Sequence, residues 1–290
     1  SGTGLFTQKV GDHLVKESLL LFSVISTLLY AVGTVGYLIY VVRTEKAIHR
    51  IAYGFLLAGF LCHTIGLAML VGQIRQMPVT TLPQTFSLFA WAIVGSYLAF
   101  QLKFNIRILG TFVSPLAVVF MLLSSAIPGR VIPNSKLFKS FWLTLHVATM
   151  FIGMAIFALA FCAGIMYLLQ ERQIKSKSFG LLYRRLPSLE VLDSLNYVCL
   201  TFGFPLISIG LISGFVYAGA VWQSYWHWDP KEILSVVSWL IYAVLLHERL
   251  AVGWRGRRAA IMAIVGFSVI LVTFVGTSMI LEVHHSFKLG

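Results

Sequence analysis

The chain is organised as long apolar runs separated by short basic or turn-forming stretches. Eight runs approach the about 20 residues needed to cross a bilayer as a helix: 18–42, 51–72, 85–102, 106–127, 141–169, 194–218, 233–249 and 259–283. The expectation is an all-α polytopic bundle of about eight transmembrane helices, with residues 1–290 forming a single transmembrane domain. The first run is too long for a signal-peptide core, and no small-residue cleavage site follows it. Pro115 and Pro205 fall inside runs, where a bundle tolerates a kink. No internal repeat or low-complexity segment stands out. The opening Ser1-Gly2-Thr3-Gly4, with no Met, reads as a chain cut from something longer.

Composition sharpens this reading. Of the 290 residues 58% are hydrophobic and 11% charged, against roughly 45–50% and 25% in soluble domains. Mean hydropathy is +0.87. A globule of this length cannot hide that apolar excess, which excludes a soluble enzyme, a disordered tail and a disulfide scaffold. Cys62, Cys162 and Cys199 all lie in apolar runs with no C-x-x-C, so buried unreactive cysteines are expected rather than thiol–disulfide chemistry.

The net charge of +12 bears on topology, because basic residues collect in cytoplasmic loops. With the N-terminus outside, fourteen of the 22 Lys and Arg fall in inner loops and eight outside, while the acids divide five and five. N-out/C-out is therefore favoured.

One loop stands apart. Trp222, Tyr225, Trp226 and Trp228 lie within seven residues and are followed by Asp229, Pro230, Lys231 and Glu232. An interfacial aromatic belt is the plainer explanation. Belts, however, spread over many span ends, whereas aromatics concentrated in one charged loop suggest a flat apolar platform with polar handles, suited to a porphyrin. His146, near the outer end of the fifth run, and His284-His285, at the outer end of the eighth, share the depth of this loop. Singly, each is more simply a packing histidine. Two neutral imidazoles on opposite sides of a flat site are what six-coordinate haem iron requires. Adjacent helical residues point about 100° apart, so only one of His284 and His285 faces inward.

The run 222–232 resembles the tryptophan-rich WWD signature of the haem-handling proteins of c-type cytochrome biogenesis, and its Trp-Asp-Pro-Lys-Glu ending resembles the CcsA (ResC) branch. Leu246-His247 after Trp239, His285-Ser286-Phe287, Leu145-His146-Val147 and the stretch from Pro78 to Trp91 are similar too, so the resemblance covers about residue 55 to the C-terminus. Gln223 departs from it, standing where the family usually has Gly.

The resemblance implies a cytochrome c synthase of haem-lyase type. With a CcsB (ResB) partner it would carry haem b to the external membrane face. There it would join the vinyl groups to the thiols of a CxxCH motif in apocytochrome c. His146 and His285 would be axial ligands, and Trp222, Trp226, Trp228 and Asp229 would belong to the haem-binding loop at 219–232. His247 would be a transmembrane ligand receiving haem from the cytoplasmic side, its partner ligand coming from CcsB. The implied location is the bacterial inner membrane, or its thylakoid equivalent, with the site on the external face. Lys231 serves equally as a propionate partner or in a salt bridge to Asp229 or Glu232.

His63 lies deep in the second run and matches no family histidine; packing is the favoured role. His13 and His49 read as solvated, His227 as a secondary ligand candidate, and 172–185 as an orientation determinant. The segment 132–139 reads as lying along the outer surface. The alternative is a b-type cytochrome-like electron-transfer protein using His63/His247 and His146/His285 as stacked haem sites, which leaves the tryptophan density unexplained. A regulator lacking synthase activity is a third reading, disfavoured by the intact Trp-Asp-Pro-Lys-Glu run.

Overall fold

The computed structural model describes residues 2–127, 140–177, 180–226 and 228–276. In chain order the helices are α1 (Gly2–Val42), α2 (Lys46–Ile74), α3 (Leu82–Phe104), α4 (Leu109–Ala126), α5 (Phe141–Lys175), α6 (Leu181–Arg185), α7 (Leu189–Trp222), α8 (Pro230–His247) and α9 (Arg257–Leu271). The last two each run on into a wider π-helical turn, Glu248–Val252 and Val272–Gly276. Among the described residues there is no strand, and eight helices are long and apolar enough to cross a membrane. They coincide with the eight apolar runs, with ends displaced by a few residues, save that the end of the eighth run, 277–283, lies outside the described residues.

The ends follow local chemistry. Pro83 sits in the first turn of α3, and the Thr81 hydroxyl accepts from the Gln84 N–H. Ser188 caps α7 in the same way through Val191. Asn105 and Arg75 close α3 and α2 in the left-handed conformation.

Helix α5 is the axis of the bundle. It packs most extensively on α7, then on α9 and α3. Helices α1 and α2 form a hairpin at the periphery, held through α4 and α3. In a bilayer helices gain little from hydrophobicity alone, so close approach through small residues matters. A side-chain carbon at Gly153 would lie 2.7 Å from Ile207, one at Gly203 2.5 Å from Phe157, and one at Gly164 2.8 Å from the Ala260 carbonyl. Phe157 and Tyr242 stack face to face at 3.6 Å.

Polar groups inside the bundle are largely paired. His63 is buried with both ring nitrogens engaged, Nδ1 at 3.2 Å from the Tyr30 hydroxyl and Nε2 at 2.8 Å from the Ser87 hydroxyl. It ties α1, α2 and α3 together, which is the packing role. The indoles of Trp91 and Trp239 donate to Thr64 and Ser208. Cys162 and Cys199 are buried and Cys62 half-buried. His49 departs from expectation: it is half-buried, with Tyr37, Tyr40 and Tyr53 around its ring. The segment 132–139 lies outside the described residues.

Candidate functional site

The two ends of the bundle differ in chemistry. One, the aromatic end, gathers the C-termini of α4, α7 and α9 and the N-termini of α3, α5 and α8. Beneath it Phe86, Phe89, Phe120, Phe151 and Phe274 pack edge to face or tilted, with centroids 4.8–6.4 Å apart. The other, the basic end, carries the 43–45 connection, the 105–108 connection, α6 and the 253–256 turn.

The tryptophan loop joins α7 to α8 at the aromatic end. Gln223 ends α7 at φ 56° and Trp228 turns back at φ 58°, both left-handed. Between them the Ser224 hydroxyl donates to the Trp226 carbonyl and accepts from the Trp226 N–H. Pro230 then starts α8, whose first N–H to fold back, that of Ile233, bonds the Asp229 carbonyl. Gly219 seats Tyr225, since a side-chain carbon there would lie 2.4 Å from the Tyr225 ring.

This turn projects rings outward. Trp222, Tyr225 and Trp228 are 58%, 69% and 75% exposed. Trp226 instead points down, half-buried between Phe215 at 5.8 Å and Trp228 at 5.6 Å. Its indole N–H is buried with no hydrogen-bond partner, a group left available to an acceptor on a bound molecule.

His146 lies in the second turn of α5, half-buried, its Nδ1 2.6 Å from the Gly210 carbonyl of α7. A carbonyl only accepts, so Nδ1 carries the proton and the neutral ring keeps its lone pair on Nε2. That second contact is the one that orients a metal-ligating imidazole. The approach depends on Gly214, where a side-chain carbon would lie 2.6 Å from Nδ1. Gly214 thus touches His146, while its neighbour Phe215 touches Trp226. Helix α7 brings the predicted histidine and the predicted loop to one end of the bundle.

Other predicted residues are distributed differently. His247 stands at the far end of α8, 17 residues beyond Pro230 and so about 26 Å along the helix, with its side chain exposed. Asp229 is half-buried and engaged in an interaction of its own. His227, His284 and His285 lie outside the described residues, as does the Lys231 side chain. Description stops at Gly276, nine residues before His285 and just past Phe274 in the aromatic floor. The sequence reading missed Gly210, Gly214 and Gly219; the signal was the small-residue spacing along α7, which was available in the sequence.

A family profile described as cytochrome C assembly protein matches residues 79–285. The cytochrome c biogenesis protein CcsA of Guillardia theta is 29% identical over 261 residues, covering 83% of this chain and 87% of the relative. That of Prochlorococcus marinus is 31% identical over 235 residues, covering 72% and 74%. Among solved structures, the cytochrome c haem lyase CcmF superposes with a TM-score of 0.62 at 14% identity, over 89% of this chain. The chain spans 46% of the length of that structure, and the likeness is one of fold.

Proposed function

The chain belongs to the cytochrome c assembly protein family and is a multi-pass membrane protein of cytochrome c biogenesis, and we propose that it holds haem b at the aromatic end for covalent attachment to CxxCH motifs. The observation that carries this is the bond from His146 Nδ1 to the Gly210 carbonyl, which leaves Nε2 unprotonated at the end of the bundle that carries the tryptophan loop.

In this reading His146 and His285 are the axial ligands, and Trp222, Trp226 and Trp228 supply the platform on which the porphyrin plane rests. The buried Trp226 N–H donates to an acid group on the haem edge. Asp229 shapes the turn into α8. With the iron held and the vinyl edges facing the open side, each cysteine thiol adds across a vinyl group: sulfur bonds one carbon and hydrogen the other, with no net oxidation. The motif's own histidine then displaces one of the two imidazoles, which lets the product leave. The aromatic end is external, so the fold is N-out/C-out. A CcsB subunit is the partner, and the exposed His247 meets it as a ligand for haem on its way across. The membrane is the bacterial inner membrane or its thylakoid equivalent.

The electron-transfer alternative requires His63 to bind iron, and both of its nitrogens are engaged elsewhere. The decisive test places this chain and a CcsB subunit in a maturation-deficient host with a CxxCH reporter. Covalent haem on the reporter with the wild type, and little with His146→Ala or His285→Ala, supports the proposal. Full attachment with both variants overturns it.

A further inference from the structure

At the basic end, remote from the tryptophan loop, a half-open cavity of about 520 Å³ lies between the ends of α1, α3, α6 and α7. Its walls combine two chemistries. Phe104, Ile106, Ile108 and Val191 are apolar and Tyr40 adds a ring with a polar tip, whereas Arg107, Arg184 and Arg185 bring three guanidinium groups to it.

The arginines are differently held. Arg185 is fixed to the end of α1, donating to the Thr44 hydroxyl and to the Val42 carbonyl. Arg107 gives only its Nε–H to Asn105, at 3.4 Å. Arg184 is exposed. Among the described residues, the ion pairs of this end fall on Glu171 and Asp193 and involve Lys175, Arg249 and Arg257, so none of the three cavity arginines is neutralised by a carboxylate. Glu45 and Glu190 adjoin the cavity in sequence but do not line it. Three uncompensated positive charges at one concavity attract an anion.

The level of the cavity selects the kind of anion. It is lined by the last residues of α1 and α3 and the first turn of α7, so it opens where the apolar part of the bundle stops. Toward the apolar side the neighbouring surface is aliphatic and exposed: Ile39 and Val42 on α1, Leu102 on α3. A ligand seated here has acid oxygens against guanidinium groups and hydrocarbon along the helices. Guanidinium forks suit phosphate oxygens, and basic pockets between spans suit acidic lipid headgroups. No histidine or cysteine lines the cavity, so it lacks the imidazole and thiolate ligands of haem iron, and Tyr40 alone among the lining residues carries a group able to ligate it.

We propose that this cavity is a binding site for an anionic phospholipid, its phosphate held by Arg107, Arg184 and Arg185. The lipid fills the gap between the α1–α4 part and the α6–α7 part of the bundle at the membrane surface.

The test uses the full chain purified in mild detergent. Native mass spectrometry measures binding of phosphatidylglycerol, phosphatidylcholine and haem by the wild type and by an Arg107→Gln/Arg184→Gln variant, which spares the Arg185 contacts to α1. The expected result is retention of phosphatidylglycerol in preference to phosphatidylcholine, with affinity falling about tenfold in the variant. An unchanged thermal midpoint in phosphatidylcholine shows that the variant is folded. Equal binding of the two lipids, or equal binding by variant and wild type, overturns the proposal. Displacement of phosphatidylglycerol by haem that depends on these arginines also overturns it, and makes the cavity a porphyrin site. Equal competition by inorganic phosphate alone overturns the lipid assignment in favour of a simple anion site.

Discussion

The position of His146 rests on two glycines that carry no chemistry of their own. Gly210 supplies the carbonyl that fixes the ring, and Gly214 supplies the space beside it. Gly214→Ala would push a methyl group against Nδ1, turning the imidazole and breaking that contact. Loss of such an orienting partner costs a metal site about 10–100-fold, so we expect haem retention by the purified chain to fall by that order while the helical content is unchanged. Absorption spectroscopy of the haem band beside circular dichroism measures both. Gln223 gives the opposite case. It stands at φ 56°, where a side chain is strained and glycine is not. Gln223→Gly is expected to raise stability by about 0.5–1 kcal/mol, after allowing for the greater freedom of glycine in the unfolded chain, read as a higher thermal midpoint in detergent. The unusual residue in the tryptophan loop therefore lies at one of the two positions where the turn favours glycine, Trp228 being the other, and the turn forms nonetheless.

At the scale of elements, spans were legible because their signal is composition summed over twenty residues, and partnerships were not. Arg249 and Asp193 counted in the sequence only as charges on the same side. In the fold they form a bidentate pair, with both N···O distances 2.7 Å and side chains 9% and 14% exposed. Asp193 also accepts from the Gly256 N–H, and Arg249 donates to the Trp254 carbonyl. The pair thus clamps the base of α7 to the turn between α8 and α9, immediately after His247. The π-helical turn Glu248–Val252 lies inside this clamp, a place where helices widen at functional positions. Fifty-six residues separate the two partners, and nothing in either local sequence marks the other. Asp193→Asn leaves a shielded guanidinium without its counter-charge. A loss of about 2–4 kcal/mol is expected, visible as a lowered unfolding midpoint, whereas Glu171→Gln, whose Lys175 and Arg257 partners are exposed, is expected to cost under about 1 kcal/mol. Similar losses for the two would mean that the clamp contributes no more than a surface pair.

For the whole molecule, eight spans return the last described helix to the end from which the first departs, so the tryptophan loop, the start of α5 and the end of α9 share a side whichever way the bundle is inserted. Helix packing fixes which groups meet; charge alone fixes which compartment they meet in. In the proposed orientation the basic residues set that direction, with fourteen of 22 at the end opposite the tryptophan loop. Cysteine introduced at Tyr225, which is 69% exposed, is expected to react with a membrane-impermeant maleimide in intact cells. Cysteine at Ser176, in the exposed segment after α5, is expected to react only after permeabilisation. The native thiols add little background, since Cys162 and Cys199 are buried and Cys62 half-buried. The reverse pattern would place the tryptophan loop in the cytoplasm, on the side from which haem is proposed to enter rather than the side on which it is proposed to be joined to apocytochromes. His146 and the loop would then be an entry site and the exposed His247 an exit, so this one labelling experiment fixes the direction in which the histidines are used.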